Sequence, residues 1–268
     1  MSELILNHVT KTLKKKKVLN DITAKFESGK IYGFYGRNGS GKTMLLRAIA
    51  GLIYPEDGEI RINGQTLQDD IDFPPDMGVI IEHTSLLPQY SAYMNLKMLS
   101  EIRKVATDED IRDALRKVNL DPDDKRKVKV YSLGMKQRLA IAQAIFEHPK
   151  LLLLDEPTNY LDLPSIRCMT KLLQNYEGSV LFVSHDAAFI RDVATEVWKL
   201  QDGTLYLPQE RVNKADKGKK DYERERETRR MILDMRRSEV VNRLLQNQGD
   251  KEVLEQEYDE IMEKLKNL

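Results

Sequence analysis

This chain of 268 residues carries 43 basic and 43 acidic side chains, so no global field pulls it toward nucleic acid or anionic lipid. Its lone cysteine, Cys168, excludes an internal disulfide and a cysteine metal cluster, and suits a reducing compartment. No run approaches the ~20 apolar residues needed to cross a bilayer, and Met1-Ser2-Glu3-Leu4-Ile5 lacks the basic and long apolar regions of a signal peptide.

In chain order, residues 1 to about 82 read as strands around one glycine-rich loop and its helix, with turn signals at Pro55-Glu56-Asp57-Gly58 and Asn63-Gly64. Lys14 to Lys17 interrupt two strand-like stretches and read as a solvated turn. The apolar run Ile31-Tyr32-Gly33-Phe34-Tyr35 predicts a buried strand, and Met44 to Ala50 predicts a helix. Between them Gly36-Arg37-Asn38-Gly39-Ser40-Gly41-Lys42-Thr43 fits G-x-x-x-x-G-K-[ST] in the strand-loop-helix context that this phosphate-binding motif needs. Gly36, Gly39 and Gly41 let the backbone turn tightly, so the N–H groups of the loop, those of Asn38 and Ser40 included, are expected to face phosphate oxygens. The helix beginning near Lys42 adds its partial positive end. Lys42 is expected to reach the β- and γ-phosphates of a nucleoside triphosphate, and Thr43 to place its hydroxyl on Mg2+.

Residues 84 to about 148 turn helical. Thr107 to Asp110 resembles a capping box, and Ile111, Ala114, Leu115 and Val118 follow at helical spacing on one face. Four leucines, Leu151 to Leu154, then form the continuous apolar run of a strand buried on both faces of a parallel sheet. Asp155 and Glu156 end that strand, where open α/β sheets bind ligands: Asp155 is expected to hold magnesium through water and Glu156 to polarise the attacking water. Val180-Leu181-Phe182-Val183-Ser184 is a second such run, and it delivers His185 to the same sheet edge. His8, His83 and His148 lack that context and read as solvated or structural.

From Gln209 to Leu268 there are 15 acidic and 15 basic side chains and no proline after Pro208, which leaves a helical or a disordered tail open. Leu254, Tyr258, Ile261, Leu265 and Leu268 are spaced as a short coiled-coil seam. Gly249-Asp250 separates it from an earlier helical pattern carrying Val240, Val241, Leu244 and Leu245. Residues 211–243 hold 12 basic and 7 acidic groups and residues 250–268 hold 3 and 7, so opposite charge favours an antiparallel hairpin or pairing between protomers.

The order of these blocks over about residues 3 to 205 resembles the ATP-binding cassette (ABC) ATPases. Tyr131-Ser132-Leu133-Gly134-Met135-Lys136-Gln137-Arg138 looks like a variant of that family's Leu-Ser-Gly-Gly-Gln signature, in the form similar to exporters of the bacitracin-resistance and lantibiotic-immunity type. The resemblance implies an α/β fold of the phosphate-loop NTPase class: a RecA-like core sheet, an antiparallel β subdomain and a helical subdomain, here with a charged helical C-terminal extension. Residues 1–207 would form the ATPase domain, with the helical subdomain at about 84–148, and residues 208–268 the extension. It implies a homodimer in which Ser132 and the N–H of Gly134 contact ATP held by the other protomer. A Ser and a Gly opening a helix make a good anion site independently of family. Asp162, in Asn159-Tyr160-Leu161-Asp162, matches the loop that signals across that dimer, and His185 matches the histidine that contacts the γ-phosphate.

Two positions depart from the family pattern. Glu82 stands after Gly78-Val79-Ile80-Ile81 where a glutamine is usual, and we expect it to retain a magnesium-sensing role. Leu13 stands where many relatives place an aromatic on the adenine, so it offers apolar contact without a π-face. By resemblance the membrane-spanning permease subunits are separate chains that dock near Glu82 to Tyr93. Leu86, Leu87, Tyr90 and Tyr93 either line that groove or pack in the core. The expected setting is cytoplasmic, on the inner face of the cell membrane, with no direct nucleic-acid partner. The alternative is a translation-associated ATPase of the ABC-F type, which Asn159 to Asp162, Ser184-His185-Asp186 with Phe189, and the charged tail also resemble.

Overall fold

A computed structural model describes residues 3–82, 85–207, 233–234, 236–238, 240–241, 243–244 and 251–266. Thus His83, Pro208, Leu245, Gly249-Asp250 and Leu268 lie outside the described residues. An antiparallel sheet in the order β2-β1-β4-β5 is built from β1 (Glu3–Leu13), β2 (Lys16–Glu27), β4 (Asp57–Ile62) and β5 (Gln65–Thr66). Alternation explains its one buried face: along β2, Leu19, Ile22, Ala24 and Phe26 turn inward while Asp21, Thr23, Lys25 and Glu27 face water. The lysine run divides at its middle, with Lys14 and Lys15 forming the two-residue turn in left-handed backbone (φ 48 and 67) and Lys16 and Lys17 already in β2.

The second sheet, ordered β10-β9-β3-β8-β7-β6, contains β3 (Ile31–Tyr35), β6 (Met77–Ile80), β7 (Leu151–Asp155), β8 (Ser179–Val183), β9 (Glu196–Gln201) and β10 (Thr204–Tyr206). β3 and β6 to β9 run parallel, and β10 returns antiparallel through Asp202-Gly203. β6 and β8 each begin one residue earlier than the apolar runs suggest, leaving Ile81 and Ser184 in the turns beyond the strands. β7 shows why its leucines are continuous. Leu151 and Leu153 pack with Phe26, Tyr32, Leu45 and Leu46 under the antiparallel sheet and α1 (Lys42–Ile49), whereas Leu152 and Leu154 pack with Phe182, Leu139 and Ile190 on the other face. Trp198 of β9 is buried beside Phe26, ring centroids 5.2 Å apart, with its indole N–H unpartnered.

The helical layer comprises α2 (Ala92–Arg103), α3 (Asp108–Lys117) and α4 (Leu133–Ile145). The Thr107 and Asp110 side chains and backbones form the expected reciprocal cap of α3, and Ile111, Ala114 and Leu115 are buried. Leu86 ahead of α2 and Tyr93 in its first turn pack against the core, while Leu87 is exposed. One face of α2 carries exposed Met94, Met98 and Ile102, the last 76% exposed, with exposed Val105 just beyond the helix. α5 (Leu163–Gln174) and α6 (Ala187–Val193) follow β7 and β8. His8 and His148 make surface pairs with Asp21 (2.6 Å) and Asp110 (2.9 Å).

Past residue 207, Leu233, Val240 and Leu244 are helical and pack with Leu254, Tyr258, Ile261 and Leu265 of α7 (Lys251–Lys266) in an apolar cluster of their own. Arg236 donates to Glu257 at 2.7 Å across it. No helix of the described residues is long and apolar enough to cross a membrane.

Candidate functional site

The loop between β3 and α1 is held open by contacts that only glycine permits. Gly41 has φ 107, and a Cβ there would lie 2.2 Å from the carbonyl oxygen of Val18; one on Gly36 would lie 2.1 Å from that of Leu200. The Ser40 carbonyl accepts the N–H of Gly203 at 3.0 Å, so the β9–β10 turn braces the loop from beneath. Sequence reasoning passed over Val18, Leu200 and Gly203. The Asp-Gly pair of the β9–β10 hairpin was the available signal.

Lys42 is 7% exposed and donates to the carbonyls of Gly36 (2.8 Å) and Arg37 (3.1 Å). Burial, before anything else, pulls its pKa down, while Glu156 and Asp155 pull it up. The Ser40 hydroxyl oxygen is buried with no partner. A buried donor without an acceptor beside a lysine and a helix N-terminus suits phosphate oxygens. Thr43 donates to Asp155 Oδ2 at 2.7 Å, which brings together the hydroxyl and the carboxylate that would share magnesium. Burial raises the Asp155 pKa, and the Thr43 hydrogen bond and Lys42 oppose it. A hydroxyl, one or two carboxylates and nucleotide phosphates form an oxygen-rich set that fits magnesium.

Glu156 follows β7 in left-handed backbone, φ 49, a sparsely populated conformation that costs about 1–3 kcal/mol and is held here by its N–H bond to Val183 O at 2.9 Å. Burial, aided by Asp155, pushes its carboxyl up to about 8. Burial, aided by Lys42, pushes His185 down to about 4. His185 Nε2 lies 3.2 Å from Glu156 Oε1, and the His185 backbone N–H donates to Oε2 at 3.2 Å. Both shifts favour the uncharged forms, so at neutral pH the side-chain contact joins two neutral groups rather than an ion pair, and the hydrogen bond between the residues comes from the His185 backbone.

Glu82, two residues beyond β6, also has left-handed backbone (φ 60), and its Oε2 accepts from Arg47 of α1 at 2.8 Å. Arg47 is a participant that sequence reasoning missed; it lies 35 residues from Glu82, and no local pattern links the two. Ser132 caps α4, accepting from Met135 N–H at 3.2 Å, and Asp162 caps α5, accepting from Ser165 N–H at 3.0 Å. These loops touch: a Cβ on Gly134 would lie 2.8 Å from Tyr160 O, and Gln137 donates to Pro157 O at 3.2 Å. Leu133, Tyr160 and Leu163 stand exposed around them. Leu13 sits at the tip of the β1–β2 hairpin, and Val18 of the same hairpin backs the glycine loop.

The family description "ABC transporter" matches residues 19–159. The chain is 46% identical over 215 residues to an uncharacterized ABC transporter ATP-binding protein of Bacillus subtilis, YybJ, covering 79% of this chain and 98% of that one. It is 35% identical over 203 residues to the bacitracin transport ATP-binding protein BcrA of Enterococcus faecalis, covering 74% of this chain and 66% of that one. Its fold is similar to a dimeric structure of the ATP-binding cassette MJ0796 in a post-hydrolysis state bound to ADP and Pi, with TM-score 0.68 and 24% identity, over 79% of this chain and all of the other.

Proposed function

Because the chain belongs to the ABC transporter family of ATP-binding proteins, we propose that it is the ATP-hydrolysing subunit of an exporter, whose two copies close around two ATP molecules and drive separate membrane subunits. One observation carries this: at the end of β7, Asp155 is joined to Thr43 at 2.7 Å and the adjacent Glu156 to His185 at 3.2 Å, with the buried Lys42 close enough for its charge to act on both carboxyls. The cargo we propose is a peptide antibiotic, a bacteriocin or a lipid-linked compound, and the name of BcrA, a bacitracin transport protein, supports the first of these. Glu82 and the form of the signature at Tyr131 to Arg138 favour this over the translation-factor alternative.

In the mechanism, the loop from Gly36 to Thr43, with Asn38, Gly39, Ser40 and Gly41, would hold the phosphates, and Lys42 would turn from its backbone carbonyls to their oxygens. Thr43, Asp155 and Glu82 would hold magnesium, whose chemistry there is neutralisation of phosphate charge. Glu156 would orient the attacking water and accept its proton at a carboxylate oxygen once its own proton, held at neutral pH by burial, has been lost; the Lys42 charge favours that ionisation. Neutral His185 bridges Glu156 and the γ-phosphate side of the site. Ser132 and Gly134 would serve the partner's nucleotide, and exposed Leu133, Tyr160 and Leu163 would be covered in that dimer. Asp162, fixing the start of α5 beside the signature loop, would pass closure from one site to the other. We assign residues 1–207 to this ATPase domain and 208–268 to an extension.

The exposed apolar face of α2, Met94, Met98 and Ile102, suits a helix of a permease better than water. The protein would then lie at the inner face of the cell membrane through that partner. The test is to trap Glu156→Gln with ATP in the native host and identify what purifies with it from membrane and ribosome fractions. A multi-helix membrane protein is expected; ribosomal proteins without one would overturn the exporter assignment.

A further inference from the structure

Glu82 places a second carboxylate beside the one expected to share magnesium, in a site that must accept a polyanion. Thr43 at the start of α1 donates to Asp155 at 2.7 Å, and Arg47 of the same helix reaches Glu82. The two side chains are themselves joined at 2.8 Å, with Arg47 in the last turn of the same helix that opens with Lys42. α1 thus presents one cation to the phosphate loop at its start and a second to Glu82 about one turn and a half later.

We propose that Arg47 is a positioning residue for the nucleotide site: its guanidinium holds the Glu82 carboxylate and cancels its charge, so that this carboxylate does not repel the phosphates. The inference rests on the nucleotide site described above and adds a residue to it. Arginine suits the task because its planar fork stays charged at every accessible pH. Glu82 and Arg47 are 53% and 32% exposed at the side chain, so solvent screens the pair and the effect is moderate rather than absolute.

The experiment is equilibrium binding of a fluorescent N-methylanthraniloyl ATP to the full chain, in EDTA and across a magnesium titration, for wild type, Arg47→Met, Arg47→Lys, Glu82→Gln and the double variant Arg47→Met/Glu82→Gln. Arg47→Met is expected to bind magnesium-free nucleotide about fivefold more weakly, the size of one partly screened charge at moderate range. The deficit should shrink as magnesium rises, because an unopposed carboxylate attracts the metal. Arg47→Lys and the double variant should both return to within about twofold of wild type. Equal weakness in Arg47→Met and the double variant would overturn the inference, since Arg47 would then touch nucleotide itself or merely support the fold. Melting temperatures separate those cases, as a supporting role lowers both variants alike. Unchanged binding by Arg47→Met also overturns it. If wild type with magnesium fails to bind ATP, the nucleotide-site assignment falls and this inference with it.

Discussion

Replacing Glu156 with glutamine and following thermal unfolding between pH 6.5 and pH 8, without added nucleotide, isolates the titration of one carboxyl group. That carboxyl is pushed up to about 8 from 4.5, and the neighbouring His185 is pushed down to about 4 from 6.5. At Glu156 the folded chain holds a proton that the unfolded chain releases, so this contribution to stability is complete below pH 4.5 and is lost as pH rises to 8. At His185 the sign reverses: its contribution is complete above pH 6.5 and is lost as pH falls to 4. From pH 4.5 to 6.5 the two slopes oppose one another, and from 6.5 to 8 only that of Glu156 remains. At about 1.36 kcal/mol per pH unit, over roughly 1.5 units, wild type should lose about 2 kcal/mol relative to Glu156→Gln, or roughly 5 °C in Tm. Circular dichroism melts at half-unit steps read this directly. A Tm difference between the two proteins that stays constant from pH 6.5 to 8 would refute the buried, protonated carboxyl.

The same variant should bind ATP and dimerise while releasing phosphate at least about a hundredfold more slowly than wild type, in a coupled phosphate assay. Gly41→Ala should cost more than about 3 kcal/mol in denaturant unfolding or abolish ATP binding, since φ 107 and a backbone carbonyl 2.2 Å from the new methyl leave the loop no unstrained geometry. Met98→Glu with Ile102→Glu should leave the isolated ATPase rate within about twofold and stability within about 1 kcal/mol, because both side chains are solvated, yet remove the membrane protein from pull-downs. Leu13, without a π-face, predicts weak discrimination of bases: GTP should compete with ATP within about a hundredfold in filter binding.

The parts of the site that lie in single runs are legible in residue order alone. The glycine loop, the leucines of β7 with their terminal Asp155-Glu156, and the β8 run into His185 each declare a strand, its end and the chemistry at that end, because a doubly buried strand must be apolar throughout. Partnership across the fold is not written there. That Glu82 is paired, and therefore tolerable, depends on Arg47 on a different element. The inward contacts of Val18 and Leu200 on the loop glycines involve backbone carbonyls, which leave no mark in residue type. The tail shows the intermediate case. Spacing at Leu254, Tyr258, Ile261 and Leu265 points to a seam, and the charge contrast to an opposite partner; among the described residues that partner comes from the same chain, through Val240 and the Arg236–Glu257 pair.

Trp198 makes the protein its own spectroscopic instrument. It is the only tryptophan in the chain, its indole is sealed from water, and its strand stands in register with β3, residue beside Phe34, immediately ahead of the phosphate loop. Excitation at the red edge should therefore give a blue-shifted emission that iodide in solution cannot quench, and a change in that emission on adding nucleotide would report movement of the floor beneath the loop rather than contact with the nucleotide. Closure could then be timed in stopped flow without a label.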